Sequence, residues 1–325
     1  MSKFSAAILG ATGLVGQRLQ QRLENHPLFN VVAISGSSST SGTHYSDLEW
    51  RLEEERPLYN LNICKLHEIP DVDVVFSALP AEIALQIEPK LINRGIHVFS
   101  NASAFRMAAG IPLVIPEINP EKMSNFSGHA CATNCTVVPI VMPLFGLKQF
   151  GIESVEVHTM QALSGAGWRL LFDEEALSGN VDPFIPGEEE KVVSELKHLL
   201  DIDCPITVIC NRVPEKEGHI VTVNVSLSNP QNIETIKEAM LLNRLDLPSS
   251  PDQPVIIIDD KPNRDEHLWA GGNGLGSGMA IVVGGIAVKE NVVSYHALSH
   301  NTIRGAAGGV VLLAEMAAQL GYLSK

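Results

Sequence analysis

Phe4-Ser5-Ala6-Ala7-Ile8-Leu9-Gly10-Ala11-Thr12-Gly13-Leu14-Val15-Gly16 sets an apolar run, a glycine-rich turn and the start of a helical pattern side by side. The pattern predicts a strand over 4–9 and a helix over 15–25, joined by small residues. Such a joint lets the backbone turn tightly and approach a diphosphate, which then rests on the first amides of the helix. The spacing G-x-x-G-x-x-G departs from the commoner G-x-G-x-x-G, and a tight strand–helix turn without ligand has the same look. Its place between an N-terminal strand and an apolar helix favours dinucleotide binding at Gly10, Thr12, Gly13, Leu14 and Val15.

Outward from this joint the first third of the chain alternates. Strands are expected over 31–35, 72–78 and 97–101, with a helix over 81–93. Continuous apolar strands separated by helices indicate a doubly wound parallel sheet covered on both faces, a Rossmann-like domain over 1–133. The second strand runs into Ser35-Gly36-Ser37-Ser38-Ser39-Thr40. An NAD site usually ends this strand in a carboxylate for the ribose 2′-hydroxyl. Here no acid repels a 2′-phosphate, and the hydroxyls of Ser35, Ser37 and Ser38 suit one, so NADP(H) is the expected cofactor. No arginine stands in this stretch, so a modest preference over NAD is expected; a flexible serine loop is the plain alternative.

From Asn134 the character changes. Residues 136–150 are apolar enough for a buried helix, which Pro139 and Pro143 would kink or limit. Strands are expected over 155–161, 206–213, 221–227, 255–259, 279–288 and 292–298, with helices over 188–200 and 233–243. Val221, Val223, Val225 and Leu227 share one face, with Thr222, Asn224 and Ser226 opposite. This suits a mixed sheet with helices on one face and a partly polar or interface surface on the other. We expect an α+β catalytic and dimerisation domain over 134–301, with a C-terminal helix, 302–325, completing the first domain. An exposed second sheet would be an aggregation liability, so a homodimer through it is expected, with a homotetramer as the alternative.

The 325 residues are about right for two packed domains, and 45% hydrophobic against 18% charged residues allows large cores. No apolar stretch reaches the ~18–20 residues of a membrane span. Met1-Ser2-Lys3-Phe4 leads into the first strand without a signal-peptide pattern, so a cytoplasmic enzyme is expected. The net charge of −14 argues against a nucleic-acid partner, though a pocket can still be locally basic. Five scattered cysteines (Cys64, Cys131, Cys135, Cys204, Cys210) suit reduced thiols better than a disulfide framework.

Cys135, in Asn134-Cys135-Thr136, falls where the first domain ends and the apolar helix begins. Helix-start amides stabilise a thiolate and lower a pKa of ~8.5, although a cysteine beside an apolar segment is more often a core residue. Gln161-Ala-Leu-Ser164-Gly165-Ala-Gly167 ends a strand in a glycine-rich loop able to line the cysteine's pocket. Arg212-Val-Pro-Glu-Lys-Glu-Gly-His219 ends one strand and opens the next, so Arg212 and His219 are expected to converge across a hairpin. Histidine is the side chain best suited to take a thiol proton near neutral pH.

Taken together, GATGLVG (10–16), SNASAFRM (100–107), PLVIPEIN (112–119), NCT (134–136), MQALSGAG (160–167), GEEEKVVSE (187–195), RVPEKEGH (212–219) and HNTIRGAAG (300–308) resemble the aspartate-β-semialdehyde dehydrogenases, closest to their archaeal and fungal branch. The resemblance spans nearly the whole chain. It implies Cys135 as nucleophile, His219 as general base and later acid, and Gln161 as the residue orienting the acyl intermediate. Arg212 would grip the substrate α-carboxylate in a bidentate fork, and Glu188 would pair with the substrate amino group. Arg106 and Lys191 would bind phosphate, Asn134 would line the substrate, and Ser77, Ser164, Gly165 and Asn301 would serve the cofactor.

The implied reaction is NADPH-dependent reduction of L-4-aspartyl phosphate to L-aspartate 4-semialdehyde through a cysteine thioester, with phosphate released. It would serve lysine, threonine and methionine synthesis, and both substrates and cofactor would bind in the cleft between domains. No metal site is implied. Plain alternatives stand beside this: Glu188–Glu190 as a charged first turn, Lys191 as a solvated lysine, Arg106 paired with Glu117. The sequence departs from the family pattern at Cys131-Ala132-Thr133 before Asn134, and at Gly284-Gly285-Ile286 where Gly-Arg-Ile is usual. The rival readings are an N-acetyl-γ-glutamyl-phosphate reductase, a malonyl-CoA reductase and a non-catalytic NADP-binding regulatory protein.

Overall fold

The computed structural model of the chain describes residues 2–37 and 39–323, and its contacts divide it into two units. Of the described residues, the first holds those through Thr133, Leu247–Ser249 and those from Ala306 to Leu323; the second holds Asn134–Asp246 and Ser250–Gly305.

The first unit is built on a parallel sheet of β1 (Phe4–Leu9), β2 (Phe29–Ser35), β3 (Ile63–Cys64), β4 (Val74–Ser77), β5 (His97–Ser100) and β6 (His129–Cys131). Its order, β3-β2-β1-β4-β5-β6, reverses direction at β1 and β4, as in a doubly wound dinucleotide fold. Ala6–Leu9 and Val74–Ser77 are buried throughout, which is why these strands read as unbroken apolar runs. β3 and β6, of two and three residues, are too short to give a periodic signal and lie outside the expected set.

Helix Leu14–Leu23 follows β1 and contacts the C-terminal helix Gly308–Gln319, which also covers β5. Their junction is polar: fully buried Glu315 accepts from His26 at 2.8 Å and from the Ser249 amide at 3.0 Å. That network ties Leu247–Ser249 to this unit.

The second unit carries a mixed sheet of β7 (Ile152–Gln161), β8 (Ile206–Arg212), β9 (His219–Leu227), β10 (Val255–Ile257), β11 (Ile281–Lys289) and β12 (Val292–Ser299). The order is β10-β11-β12-β9-β7-β8. Alternation on β9 is as expected, with Val221, Val223, Val225 and Leu227 buried and Thr222, Asn224 and Ser226 half-buried. Helix Val138–Leu147 packs on β9, β11 and β12 and against helix Ile233–Met240. It continues through Pro143, and Pro139 falls in its first turn, where a missing N–H costs nothing.

Two expectations need correcting. The 206–213 and 221–227 segments do not form a hairpin. β7 lies between β8 and β9, parallel to the first and antiparallel to the second. The six-residue link has hairpin length, yet β7 fills the position that direct pairing would need. The C-terminal segment expected as a helix over 302–325 is also not one α-helix. Ile303–Ala307 forms a wider turn in which the Gly305 amide bonds the His300 carbonyl, five residues back.

Candidate active site

At the nucleotide end of the first unit, the three glycines of the loop have different reasons to be glycine. Gly10 holds φ +74°, and a Cβ there would lie 2.6 Å from the Ala78 carbonyl oxygen. A Cβ on Gly16 would lie 2.1 Å from the Gly10 oxygen. Both are demanded by packing. Gly13, the residue before helix Leu14–Leu23, would place its Cβ no closer than 3.5 Å to any atom, so nothing inside the unit requires it. The first amides of that helix have no intrahelical acceptor.

Around them, at the carboxyl ends of β2 and β4 and just beyond β5, Ser35 Oγ, Ser77 Oγ and both ends of the Asn101 amide are buried without a hydrogen-bond partner among the described residues. Leaving one such group unpaired costs about 1–3 kcal/mol, so together they mark a place for a hydrogen-bonding ligand. The set fits a nicotinamide dinucleotide: helix-start amides for the diphosphate, hydroxyls for the sugars, no carboxylate closing β2. Ser37 bonds Ser39 at 2.7 Å, and a Cβ on Gly36 would lie 3.0 Å from the Thr12 methyl, so the hydroxyl loop touches the glycine loop. Ser38 lies outside the described residues.

Asn101 escaped the sequence reading although it stands inside a quoted motif. So did Arg51, whose guanidinium donates to the Thr12 carbonyl at 2.9 Å. The serine stretch holds no arginine; a distant segment brings one to the glycine loop instead, where it also pairs with Glu49. Arg106 closes a short turn after β5 and donates to the Asn101 carbonyl at 2.8 Å.

In the second unit, register explains the convergence that the hairpin was meant to supply. Gln161 ends β7 opposite Arg212, which ends the parallel β8; His219 begins the antiparallel β9 opposite Ser299 at the end of β12. All of these ends share one edge of the sheet. Cys135 reaches that edge from the turn before helix Val138–Leu147, with Sγ 3.4 Å from His219 Nε2.

Gly165 lies against both Arg212 and His219, since a Cβ on it would be 3.0 Å from Arg212 Nη1 and 3.2 Å from the His219 ring. Arg212 Nη1 donates to the Ala162 carbonyl at 2.7 Å. Buried Asn301 uses both ends of its amide, accepting from the Gly218 amide and donating to Ser164 Oγ, each at 2.8 Å. Gln161 is buried, and its Nε2 approaches Thr159 Oγ1 at 3.4 Å.

Helix Glu188–Leu200 holds the residue before the thiol. Glu188 accepts from Asn134 Nδ2 at 2.8 Å, and buried Glu195, two turns on, accepts from the Asn134 backbone amide at 2.7 Å. The Asn134 side-chain oxygen in turn takes the Thr136 amide at 2.8 Å. Lys191 is half-exposed, 3.9 Å from Glu188.

Glu195 and Gly305 were not among the expected site residues. A Cβ on Gly305 would lie 2.5 Å from Cys135 Cβ, so the widened turn sits directly against the thiol residue. Spacing alone hinted at Glu195, seven residues from Glu188 on one helix face; no local pattern points to Gly305.

Burial and two arginines keep the imidazole of the site neutral. His219 is fully buried, and desolvation, then the Arg212 and Arg264 charges, push its pKa down to about 3. Burial also lowers the Arg212 pKa, with Cys135 and Glu188 acting in the opposite direction. Arg264 Nε donates to the Gly218 carbonyl at 2.9 Å, directly before His219. The edge thus combines a thiol, a neutral imidazole and a guanidinium, the groups needed to acylate sulfur with a carboxylate-bearing substrate.

Both halves match known proteins. Residues 5–126 match the semialdehyde dehydrogenase NAD-binding domain, and residues 141–304 match the semialdehyde dehydrogenase dimerisation domain. The aspartate-semialdehyde dehydrogenase of Archaeoglobus fulgidus is 39% identical, over 97% of this chain and 98% of that protein. A crystal structure of aspartate semialdehyde dehydrogenase with NADP from Candida albicans superposes with a TM-score of 0.82 at 30% identity, over 98% of this chain and 99% of that one. A malonyl-CoA reductase (NADP) of Metallosphaera sedula is 30% identical over 98% of both chains.

Proposed function

Because the chain belongs to the semialdehyde dehydrogenase family, we propose that it reduces L-4-aspartyl phosphate to L-aspartate 4-semialdehyde with NADPH, releasing phosphate, in the synthesis of aspartate-derived amino acids. The observation that carries the reading is the Cys135 sulfur 3.4 Å from His219 Nε2, with Arg212 beside the same imidazole.

Cys135, as thiolate, attacks the acyl carbon and phosphate leaves, giving a thioester. When bound, NADPH supplies the hydride that reduces it. A thioester is readily reduced and a thiolate leaves well, so the covalent route divides one hard step into two easier ones. The Cys135 amide, at the start of the turn into its helix, stabilises the tetrahedral oxyanion. Arg212 holds the substrate α-carboxylate in a planar fork. Glu188 receives the ammonium while holding Asn134, so one carboxylate both positions the thiol segment and reads the substrate. Gln161 orients the acyl group, and Lys191 and Arg106 supply the charge for the phosphate.

The cofactor is held by Gly10, Thr12, Gly13, Leu14 and Val15 at the diphosphate and by Ser35, Ser37 and Ser38 at the 2′-phosphate, with Arg51 adding positive charge. Ser77 and Asn101 supply further hydrogen bonds, and Ser164, Gly165 and Asn301 serve the nicotinamide end. Residues 1–133 with the C-terminal helix form the cofactor domain, and 134–301 the catalytic and dimerisation domain. We place a homodimer contact on the open sheet face carrying Glu156, His158 and Met160, exposed on β7. Among the described residues no helix is long and apolar enough to cross a membrane, and the five cysteines are free thiols. A cytoplasmic location agrees with both.

The test is NADP reduction with aspartate semialdehyde, with and without phosphate; phosphate dependence is expected. The Metallosphaera sedula relative favours one second reading, malonyl-CoA reduction. NADPH oxidation with malonyl-CoA and none with aspartyl phosphate would select it.

A further inference from the structure

We infer that Glu88 is a positioning residue for the phosphate end of the site: through Ser100 and His129 it sets the turn that carries Arg106. The inference deepens the function proposed above and rests on Arg106 as a phosphate-binding cation. Glu88 lies on helix Ala81–Ile92, which follows β4. That helix buries one narrow face, Ala84, Glu88 and Leu91, and its two apolar members belong to the core beneath β4 and β5. A carboxylate therefore stands where an apolar side chain would pack. Buried carboxylates are costly unless paired, and even paired ones add little to stability. The value of Glu88 lies in what it holds.

Glu88 Oε1 accepts from the Ser100 hydroxyl at 2.8 Å, and Oε2 lies 3.0 Å from His129 Nε2. All three side chains are buried. A hydroxyl has one hydrogen to give. With that hydrogen committed to Glu88, a lone pair of Ser100 Oγ faces the Ala102 amide, which donates to it at 3.1 Å. His129 reaches the same turn by another route. Its ring meets that of Phe105 edge-on, with centroids 4.8 Å apart. One carboxylate thus holds both ends of the short turn Ser103–Phe105, Ala102 before it and Phe105 at its close. Arg106 is the next residue, so the direction of its side chain follows from that turn.

Asn101, on the cofactor side of the same loop, has an anchor independent of Glu88. Its backbone amide donates to the Ser77 carbonyl at 2.9 Å, at the end of β4. Loosening the Glu88 network should therefore be felt at phosphate and spare the dinucleotide. A role confined to holding the fold would not discriminate between them.

Initial rates of NADP reduction with aspartate semialdehyde at varied inorganic phosphate test this, with NADP binding titrated separately. The variants are Glu88→Leu, Glu88→Gln, Ser100→Ala and the double variant Glu88→Leu/Ser100→Ala. Leucine fills the helix position but accepts no hydrogen bond. We expect the phosphate KM to rise about tenfold in Glu88→Leu and in Ser100→Ala. Saturated kcat and NADP affinity should stay within about threefold of wild type. Glutamine keeps a carbonyl for Ser100 and should bring the phosphate KM back to within about threefold. The double variant should lose no more than the worse single one, because both act through one hydroxyl.

An unchanged phosphate KM in the single variants would overturn the inference, and so would additive losses in the double variant. A loss shared equally by phosphate, NADP and kcat would overturn it too, leaving Glu88 a support of the fold alone. Should Glu88→Leu fail to fold, Ser100→Ala decides by the same split. A wild type whose NADP reduction ignores phosphate would sink the proposed function and this inference together. A phosphate-dependent wild type beside unaltered variants would remove the inference alone.

Discussion

The glycine loop of the first unit and the thiol edge of the second solve different problems with different materials. The loop offers amides and hydroxyls from short neighbouring stretches, and two of its glycines serve the fold itself. The thiol edge gathers Asn134–Thr136, Gln161–Gly165, Glu188–Glu195, Arg212–His219 and Asn301–Gly305, which only strand register and one helix bring together. A binding surface made of backbone tolerates distance in its side chains. A reacting group does not, since a displacement of about 1 Å can cost about a hundredfold.

The contrast breaks most sharply at Cys135. Cys135→Ala should lower turnover by about four orders of magnitude or more while leaving NADP binding, read by equilibrium titration, unchanged. Loss of cofactor affinity in that variant would mean that the two regions are not separable in function. Gly305→Ala comes next. Its Cβ would meet Cys135 Cβ at 2.5 Å, so kcat should fall about a hundredfold with little change in cofactor affinity.

Arg212→Lys keeps the charge and loses the fork. We expect a drop in kcat/KM of about ten- to a hundredfold, carried mainly by KM for the carboxylate substrate. A pure kcat effect would point instead to a role at the thiolate.

Smaller still is a stability effect. His219 has its pKa lowered from 6.5 to about 3 in the folded chain. Between those values the unfolded state binds the extra proton, so stability should fall as pH drops through this window. His219→Gln should flatten that slope in urea titrations across the window.

The least disruptive change separates the loop's two duties. Gly13→Ala should leave the melting temperature unchanged and weaken NADP binding several-fold to about tenfold, because the space in front of it is open only to a ligand. Gly10→Ala should instead destabilise the fold by about 1–2 kcal/mol or more, through both φ +74° and the Ala78 carbonyl.

What could be read from the chain alone follows the same division. The strand Phe4–Leu9, its glycine turn and its helix are contiguous, so periodicity and spacing reveal them, and the alternation along β9 gives away its buried face. β3 and β6 are too short to carry a period. The β8–β9 link looked like a hairpin because its length suits one, and no local residue announces that β7 pairs with both strands. The same limit hid Gly305, Glu195 and Arg51, whose partners lie 170, 61 and 39 positions away in sequence. The departure at Gly285 has a local account: it sits at φ +61° in an irregular stretch of β11, where a side chain would crowd His296 and Lys261.

The proposed chemistry stands on acylation of one sulfur. Mixing the chain with aspartate semialdehyde and NADP, without phosphate, should release a burst of about one NADPH per chain and then stop, because a thioester with no acceptor accumulates. Peptide mass analysis should then find an aspartyl adduct on Cys135. A burst with no adduct there, or an adduct on another cysteine while turnover continues, would contradict it.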